Sequence, residues 1–195
     1  MLLWVGVGGA LLFPAVFLLD GWLRNGYSSL RHTVSALATG SRSWLQTCNF
    51  ILCGTAVALG AAGLAFSGFF LFAAAVGVFG LGLVLSGIFP MDPMRGYPPG
   101  TDQKDPDEFS TAHRLHDIAG AVVFLVMPAM PAVVFFTGES WPTRLTAAAV
   151  AVGLIAGVAG FTRAWEKDGA LTGLVQKLTL TLACLWLAAS FALAA

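Results

Sequence analysis

The sequence predicts an all-α polytopic membrane protein, a bundle of six transmembrane helices with a short interfacial helix after the first span. Three observations carry this. Hydrophobic residues make up 57% of the chain and charged residues only 10%, where a globular domain has roughly 25% charged. Such a chain has too little polar surface to face water alone, so lipid must solvate it. Apolar runs of about twenty residues recur along it, the length that crosses a hydrocarbon core about 30 Å thick. Nearly all charge sits in the connections between those runs. The net charge is zero, which removes the basic footprint that nucleic-acid binding requires.

The first span, about 2–23, is interrupted by Pro14 and, near its end, by Asp20. It has no basic leading region and no small-x-small cleavage site, so it reads as a retained span and not a signal peptide. The second span covers about 44–66 and the third 69–89, with little more than Ser67-Gly68 between them. The fourth, about 115–136, contains Pro128 and Pro131; the fifth is about 145–161 and the sixth about 178–195. Helix is the state for all of them, because barrel strands alternate in polarity over about ten residues and these runs do not. Glycine and alanine recur over 54–63, 73–82 and 148–160, which suits helices that approach closely in lipid. No composition shift divides residues 1–195, so the chain reads as one transmembrane domain. Cys48, Cys53 and Cys184 all fall in apolar runs without metal spacing and read as small buried hydrophobes.

Charge asymmetry sets the expected topology. Arg24, Arg31, Arg42, Arg95, Lys104, Arg114, Arg163, Lys167 and Lys177 lie in or beside loops one, three and five, and Arg144 alone lies on the other side. The positive-inside rule then puts those loops in the cytoplasm and both termini outside, in a multi-pass protein of the cell membrane.

The polar side carries the candidate chemistry. The first connection reads YSSLRHTVSALATG from Tyr27 to Gly40. Ser28 or Ser29 is a suitable N-cap, and Leu30, Val34 and Leu37 form an apolar stripe, the pattern of a short interfacial helix. Arg31, His32 and Ser35 gather on another face, with His32 and Ser35 free to turn inward. Asp20, about one turn inside the first span, needs a partner or water; Arg31 and Arg163 are the expected partners.

Phe89–Asp117 is the longest polar passage. Pro90 and Pro93 end the third span and hold Asp92 at the membrane edge. Residues 95–109 read as a solvated loop able to cover a site. His113, His116 and Asp117 then sit at i, i+3 and i+4, on one side of the helix that opens the fourth span. Three chemistries suit that set: a divalent metal bound by His32, His113, His116 and Asp92, acid/base catalysis by a histidine beside a carboxylate, and proton relay for transport. A Ser35–His116 relay completed by Asp92 or Asp117 can also be drawn, although no GxSxG elbow is present. Tyr27, Arg31, Arg163 and Lys177 are candidate substrate contacts, the last two suited to a lipid phosphate.

Asp20 near the end of span one, GYSSLRHTVSALATG, and a tryptophan-led second span together resemble the DUF998 family of bacterial integral membrane proteins. FPMDP after the third span and the histidine opening the fourth fit the same pattern. The resemblance extends over essentially the whole chain; it implies about six helices and no mechanism. The set of histidines, aspartates and a serine at one membrane edge is similar to that of metal-dependent hydrolases of the ceramidase and adiponectin-receptor type, whose helix count and spacing differ. The expectation from the residues is a membrane-embedded enzyme acting on a lipid or isoprenoid-type amphiphile by acid/base or metal-assisted chemistry. A small proton-coupled transporter or channel and a non-catalytic membrane scaffold remain as alternatives.

Overall fold

The apolar runs fold as helices, and the polar connections collect at one end of them. The structure, a computed structural model, describes residues 1–195. In order it has α1 (Leu2–Leu23), a one-turn 3-10 helix (Ser35–Ala38), α2 (Ser43–Phe66), α3 (Phe70–Ile88), α4 (Thr111–Thr137), α5 (Trp141–Glu166) and α6 (Thr172–Leu193). All six α-helices are long and apolar enough to cross a membrane.

Three of them begin before their apolar stretch. Ser110 caps α4 by accepting the His113 N–H at 3.1 Å, which extends the helix from Leu115 back to Thr111. Ser140 caps α5 by accepting from the Thr143 N–H at 3.2 Å, with Pro142 in the first turn, where its missing N–H costs nothing. α6 opens at Thr172, six residues ahead of the predicted Leu178. The interfacial helix is shorter than expected. Residues 28–34 form turns, and only Ser35–Ala38 is helical. The side chain of Arg24, just past α1, and those of Gln176 and Lys177 in α6 take backbone groups of this segment, so it does not need a helix to satisfy them.

Each helix packs on its neighbours in sequence, and α6 closes against α1, so the bundle is a ring. Glycine brings the backbones together at two places. A Cβ on Gly6 of α1 would lie 2.9 Å from the Gly60 Cα of α2, and one on Gly54 of α2 would lie 2.7 Å from the Gly80 carbonyl of α3. Phe13, Phe17, Phe79, Met127, Met130, Leu187 and Phe191 fill the interior. The connections 24–42, 89–110 and 167–171 meet at one end, and the tight turns 67–69 and 138–140 lie at the other.

Candidate functional site

The loop-rich end is held by buried charge. Asp20, 3% exposed, pairs with Arg24 one turn on and with Arg42 at 2.8 Å. These partners replace the expected Arg31 and Arg163. Arg24 also donates to the carbonyls of Leu37 (2.7 Å), Thr39 (3.3 Å) and Arg42 (2.9 Å) and to the Tyr97 hydroxyl (3.3 Å). On the opposite side α6 supplies Lys177, whose ammonium donates to the carbonyls of Ser29 (3.1 Å), His32 (2.7 Å) and Gly173 (3.3 Å). The Val34 N–H donates to Gln176 Oε1 at 2.7 Å. The first connection is thus clamped from both sides, and Ser35 is carried on it.

Ser35 Oγ lies 2.8 Å from Nε2 of His116. The other ring nitrogen of His116, Nδ1, faces two backbone carbonyls, Phe89 at 2.7 Å and Ser86 at 3.1 Å. Carbonyls only accept, so Nδ1 must carry the proton. A neutral imidazole then has a bare lone pair on Nε2, and the Ser35 hydroxyl donates to it. This is the spacing and polarity of a nucleophile and its base. The third position, drawn as Asp92 or Asp117, is taken by the end of α3 instead. Helix register explains it: Asp117 is one residue from His116, about 100° away, but four from His113.

His113 therefore belongs to a different cluster. Its Nδ1 accepts the Asp92 N–H at 2.8 Å, its Nε2 faces Asp117 Oδ2 at 3.3 Å, and Phe109 stacks on its ring at 4.2 Å. Asp92 closes that cluster by accepting from the Ser110 N–H (2.8 Å) and Oγ (2.7 Å). Partial burial works against its charge, but the two Ser110 hydrogen bonds, helped by His113, prevail and hold Asp92 below the usual carboxylate range.

A cleft of about 280 Å³ opens beside Ser35 and His116. Thr33, Asp117 and Gln176 line its polar end, and Gly120, Ala121, Phe124 and Phe161 its apolar end. Trp165 borders both this cleft and a much smaller one lined by Arg31, His32, Arg95 and Asp168. Arg95 lies flat over the Trp165 ring at 3.9 Å and donates to its carbonyl at 2.8 Å. Its remaining guanidinium nitrogens grip Asp105 at 2.6 and 2.9 Å. These bonds raise Arg95 above its ordinary value and lower Asp105 below its own. The third connection is thereby pinned across α5.

The histidines do not converge. His116 lines the cleft, and His113 is buried outside it. His32 accepts the Ser28 N–H at 3.0 Å and sits among the rings of Tyr27 and Tyr97. Burial, with Arg31 and Lys177 nearby, holds His32 below its ordinary value. No three His, Cys, Asp or Glu side chains are placed to hold a metal ion. Tyr27 is buried, its hydroxyl within 3.0 Å of the His32 carbonyl and 2.9 Å of the Thr33 carbonyl, and burial raises it above its usual range. Lys177 is 3% exposed with its protons on carbonyls, and so is not open to a phosphate. Arg31 pairs with Asp168 at 3.0 Å; Arg163 is exposed.

Residues 7–193 match a family model described as "Protein of unknown function (DUF998)". The chain belongs to the DUF998 family. No curated protein and no solved structure matches it. Within this DUF998 chain, sequence reading did not single out Gln176, Gly120 or Phe161. Gln176 falls just ahead of the sixth apolar run, and only the earlier start of α6 at Thr172 brings it into the helix, so the sequence carried no signal for it. The glycine and the phenylalanine resemble every other small or aromatic residue in the spans.

Proposed function

We propose that this DUF998 chain is a membrane-embedded acyl-transfer enzyme, a hydrolase of the serine type, in which Ser35 is the nucleophile and His116 the general base. The observation that carries the reading is the 2.8 Å Ser35–His116 contact at the wall of the cleft, with the tautomer of His116 fixed by Phe89 and Ser86. Ser35 Oγ attacks a substrate carbonyl carbon while its proton passes to His116 Nε2. The tetrahedral intermediate collapses, and the leaving alcohol takes that proton. Water then attacks the acyl-serine, gives a proton to His116, and leaves the free acid with Ser35 and neutral His116 restored. Each time the ring becomes cationic, its Nδ1–H bond to the Phe89 carbonyl becomes charge-assisted and stronger. An amphipathic substrate follows from the cleft, polar at the Ser35 end and apolar at the Phe124 end.

A second reading is structural: the same three bonds tie α4 to α3 and to the first connection. A transporter has less support, because the ionisable residues lie near helix ends and not at the midplane where transporter sites form. The deciding experiment is labelling of the purified, folded chain by a fluorophosphonate, with the adduct mapped by mass spectrometry. The enzyme reading expects an adduct on Ser35, absent in Ser35→Ala and slowed about 100-fold or more in His116→Gln. A folded wild-type chain that leaves Ser35 unlabelled, or labels equally without His116, overturns it in favour of the structural tie.

A further inference from the structure

We propose that the cleft beside Ser35 is a binding site for one acyl chain, and that Gly120 sets the bulk and length of chain it admits. This rests on the proposed acyl-transfer reading for where the reacting carbonyl sits, while the chain site itself is read from the cleft. An apolar cavity of about 150 Å³ holds a benzene ring. At about 280 Å³ the cleft has space for a small polar group and the upper part of one chain, and not for two chains side by side. It also falls near the small end of ordinary ligand sites.

The two ends differ in chemistry. Ser35, His116, Asp117 and Gln176 face one part of the cleft, and Gly120, Ala121, Phe124 and Phe161 the other. Gln176 gives its Oε1 to the Val34 N–H, which leaves its amide N–H pair for the cleft. Phe124 and Phe161 stack at 4.7 Å between ring centroids, about one turn beyond Gly120 and Trp165, and close the inner end. Ala121 of α4 and Thr162 of α5 are exposed at the rim, so the opening lies between these two helices on the face that lipid covers. A chain in the bilayer can enter there sideways with its polar end near Ser35.

Packing explains neither Gly120 of α4 nor Gly8 of α1, where an added Cβ would likewise meet nothing within 4 Å, but Gly120 alone of the two lines the cleft. Its helix contains Ala119 and Ala121 on either side, and glycine costs a helix interior stability relative to alanine. Where this bundle needs glycine for contact, an added Cβ collides: at Gly82 it would meet Val123 at 2.6 Å. At Gly120 it would meet nothing within 4 Å. Because Gly120 lines the cleft, a side chain there would take up cleft space.

The test uses the full-length chain in phosphatidylcholine nanodiscs with Gly120→Ala and Gly120→Leu. Two readouts are taken: Ser35 labelling by ethyl and by dodecyl fluorophosphonate, and crosslinking by a single-chain alkylphosphocholine bearing a diazirine on its chain. Gly120→Leu is expected to slow the dodecyl probe at least about tenfold and leave the ethyl probe within about twofold. The crosslink to peptides containing 117–124 and 161–165 is expected in wild type and Gly120→Ala, and lost in Gly120→Leu. Equal labelling at both chain lengths with a persisting crosslink overturns the proposal. If neither probe labels Ser35 in wild type, the nucleophile assignment fails by itself, and the crosslink decides the chain site. Ala121→Phe, at the exposed rim, gives the same comparison should Gly120→Leu not fold.

Discussion

Replacing Arg24 with methionine removes a guanidinium that serves five acceptors and keeps its volume and stem. The Arg24 side chain is 5% exposed and that of Asp20 1%, so the change leaves a buried carboxylate short of its nearest partner. Breaking a buried pair from one side costs about 3–5 kcal/mol. Arg42 still reaches Asp20 at 2.8 Å from a 45% exposed position, which argues for the lower end. Against that, the carbonyls of Leu37 and Thr39 lose a buried donor, at about 1–3 kcal/mol for each group left unsatisfied. Taking the low end of each, about 3 kcal/mol for the pair and about 1 kcal/mol for each of the two carbonyls, a net loss of about 5 kcal/mol is expected. In chains of about 150–250 residues each kcal/mol moves Tm by about 2–4 °C, so Tm should fall by about 10–20 °C. Thermal unfolding in detergent, followed by tryptophan fluorescence, measures it. Asp20→Asn removes the stranded charge, so the double variant should be less destabilised than the sum of the singles by about 1–3 kcal/mol. A Tm within about 2 °C of wild type, or an additive cycle, would refute the role given to this pair. Ser35 labelling should also fall in Arg24→Met below its Tm, because Leu37 and Thr39 flank the turn that carries Ser35.

Lys177→Met takes a donor from the carbonyls of Ser29, His32 and Gly173, of which His32 keeps the Tyr27 hydroxyl; it should cost about 2–3 kcal/mol in Tm-derived stability while leaving binding to anionic vesicles unchanged. His32 is held below its ordinary 6.5, so the unfolded chain binds the proton first as pH falls. Its contribution is complete above about 6.5 and lost below, and His32→Gln should lose less Tm than wild type between about pH 7.5 and about pH 5.5. Asp92 and Asp105 are held below their ordinary 3.8. Their contribution is present above that value and lost as pH falls through the lower folded-state value, so the Asp92→Asn chain should show a shallower acid limb. The charge asymmetry predicts that a cysteine at Asp107, in a Cys48→Ser background, reacts with an impermeant maleimide only after cells are opened, and one at Glu139 reacts in intact cells.

The six spans were legible because lipid imposes a length and an apolar composition on each. Their ends were less so in α4, α5 and α6, where Ser110, Ser140 and Thr172 carry the helix past its apolar part. The i+4 spacing of Arg24 from Asp20 was passed over in favour of Arg31 and Arg163, and Arg42 arrives only through the fold of the first connection. The spacing of His113, His116 and Asp117 suggested one shared face, but the helix buries both histidines and leaves Asp117 exposed, and the three divide between two clusters. Register assigns Asp117 to His113, and His116 reaches Ser35, 81 residues away in sequence. That pairing depends on the ring of helices and on the clamp from α6, neither of which leaves a local signal.

The clamp has a consequence for biosynthesis. The segment bearing Ser35 is nearly devoid of regular structure. Its backbone is fixed by Gln176 and Lys177 and by the N–H groups of Gly173 and Leu174, which donate to the carbonyls of Arg31 and Leu30. All four come from α6, which leaves the ribosome after the other five helices. Ser35 and His116 are both translated long before it, yet the α6 half of the clamp on the Ser35 segment is absent until α6 docks, leaving only the bonds from Arg24 and Tyr27. A chain in which α6 has not yet docked therefore holds Ser35 and His116 in a half-clamped segment, and the 2.8 Å contact between them depends on α6 being in place.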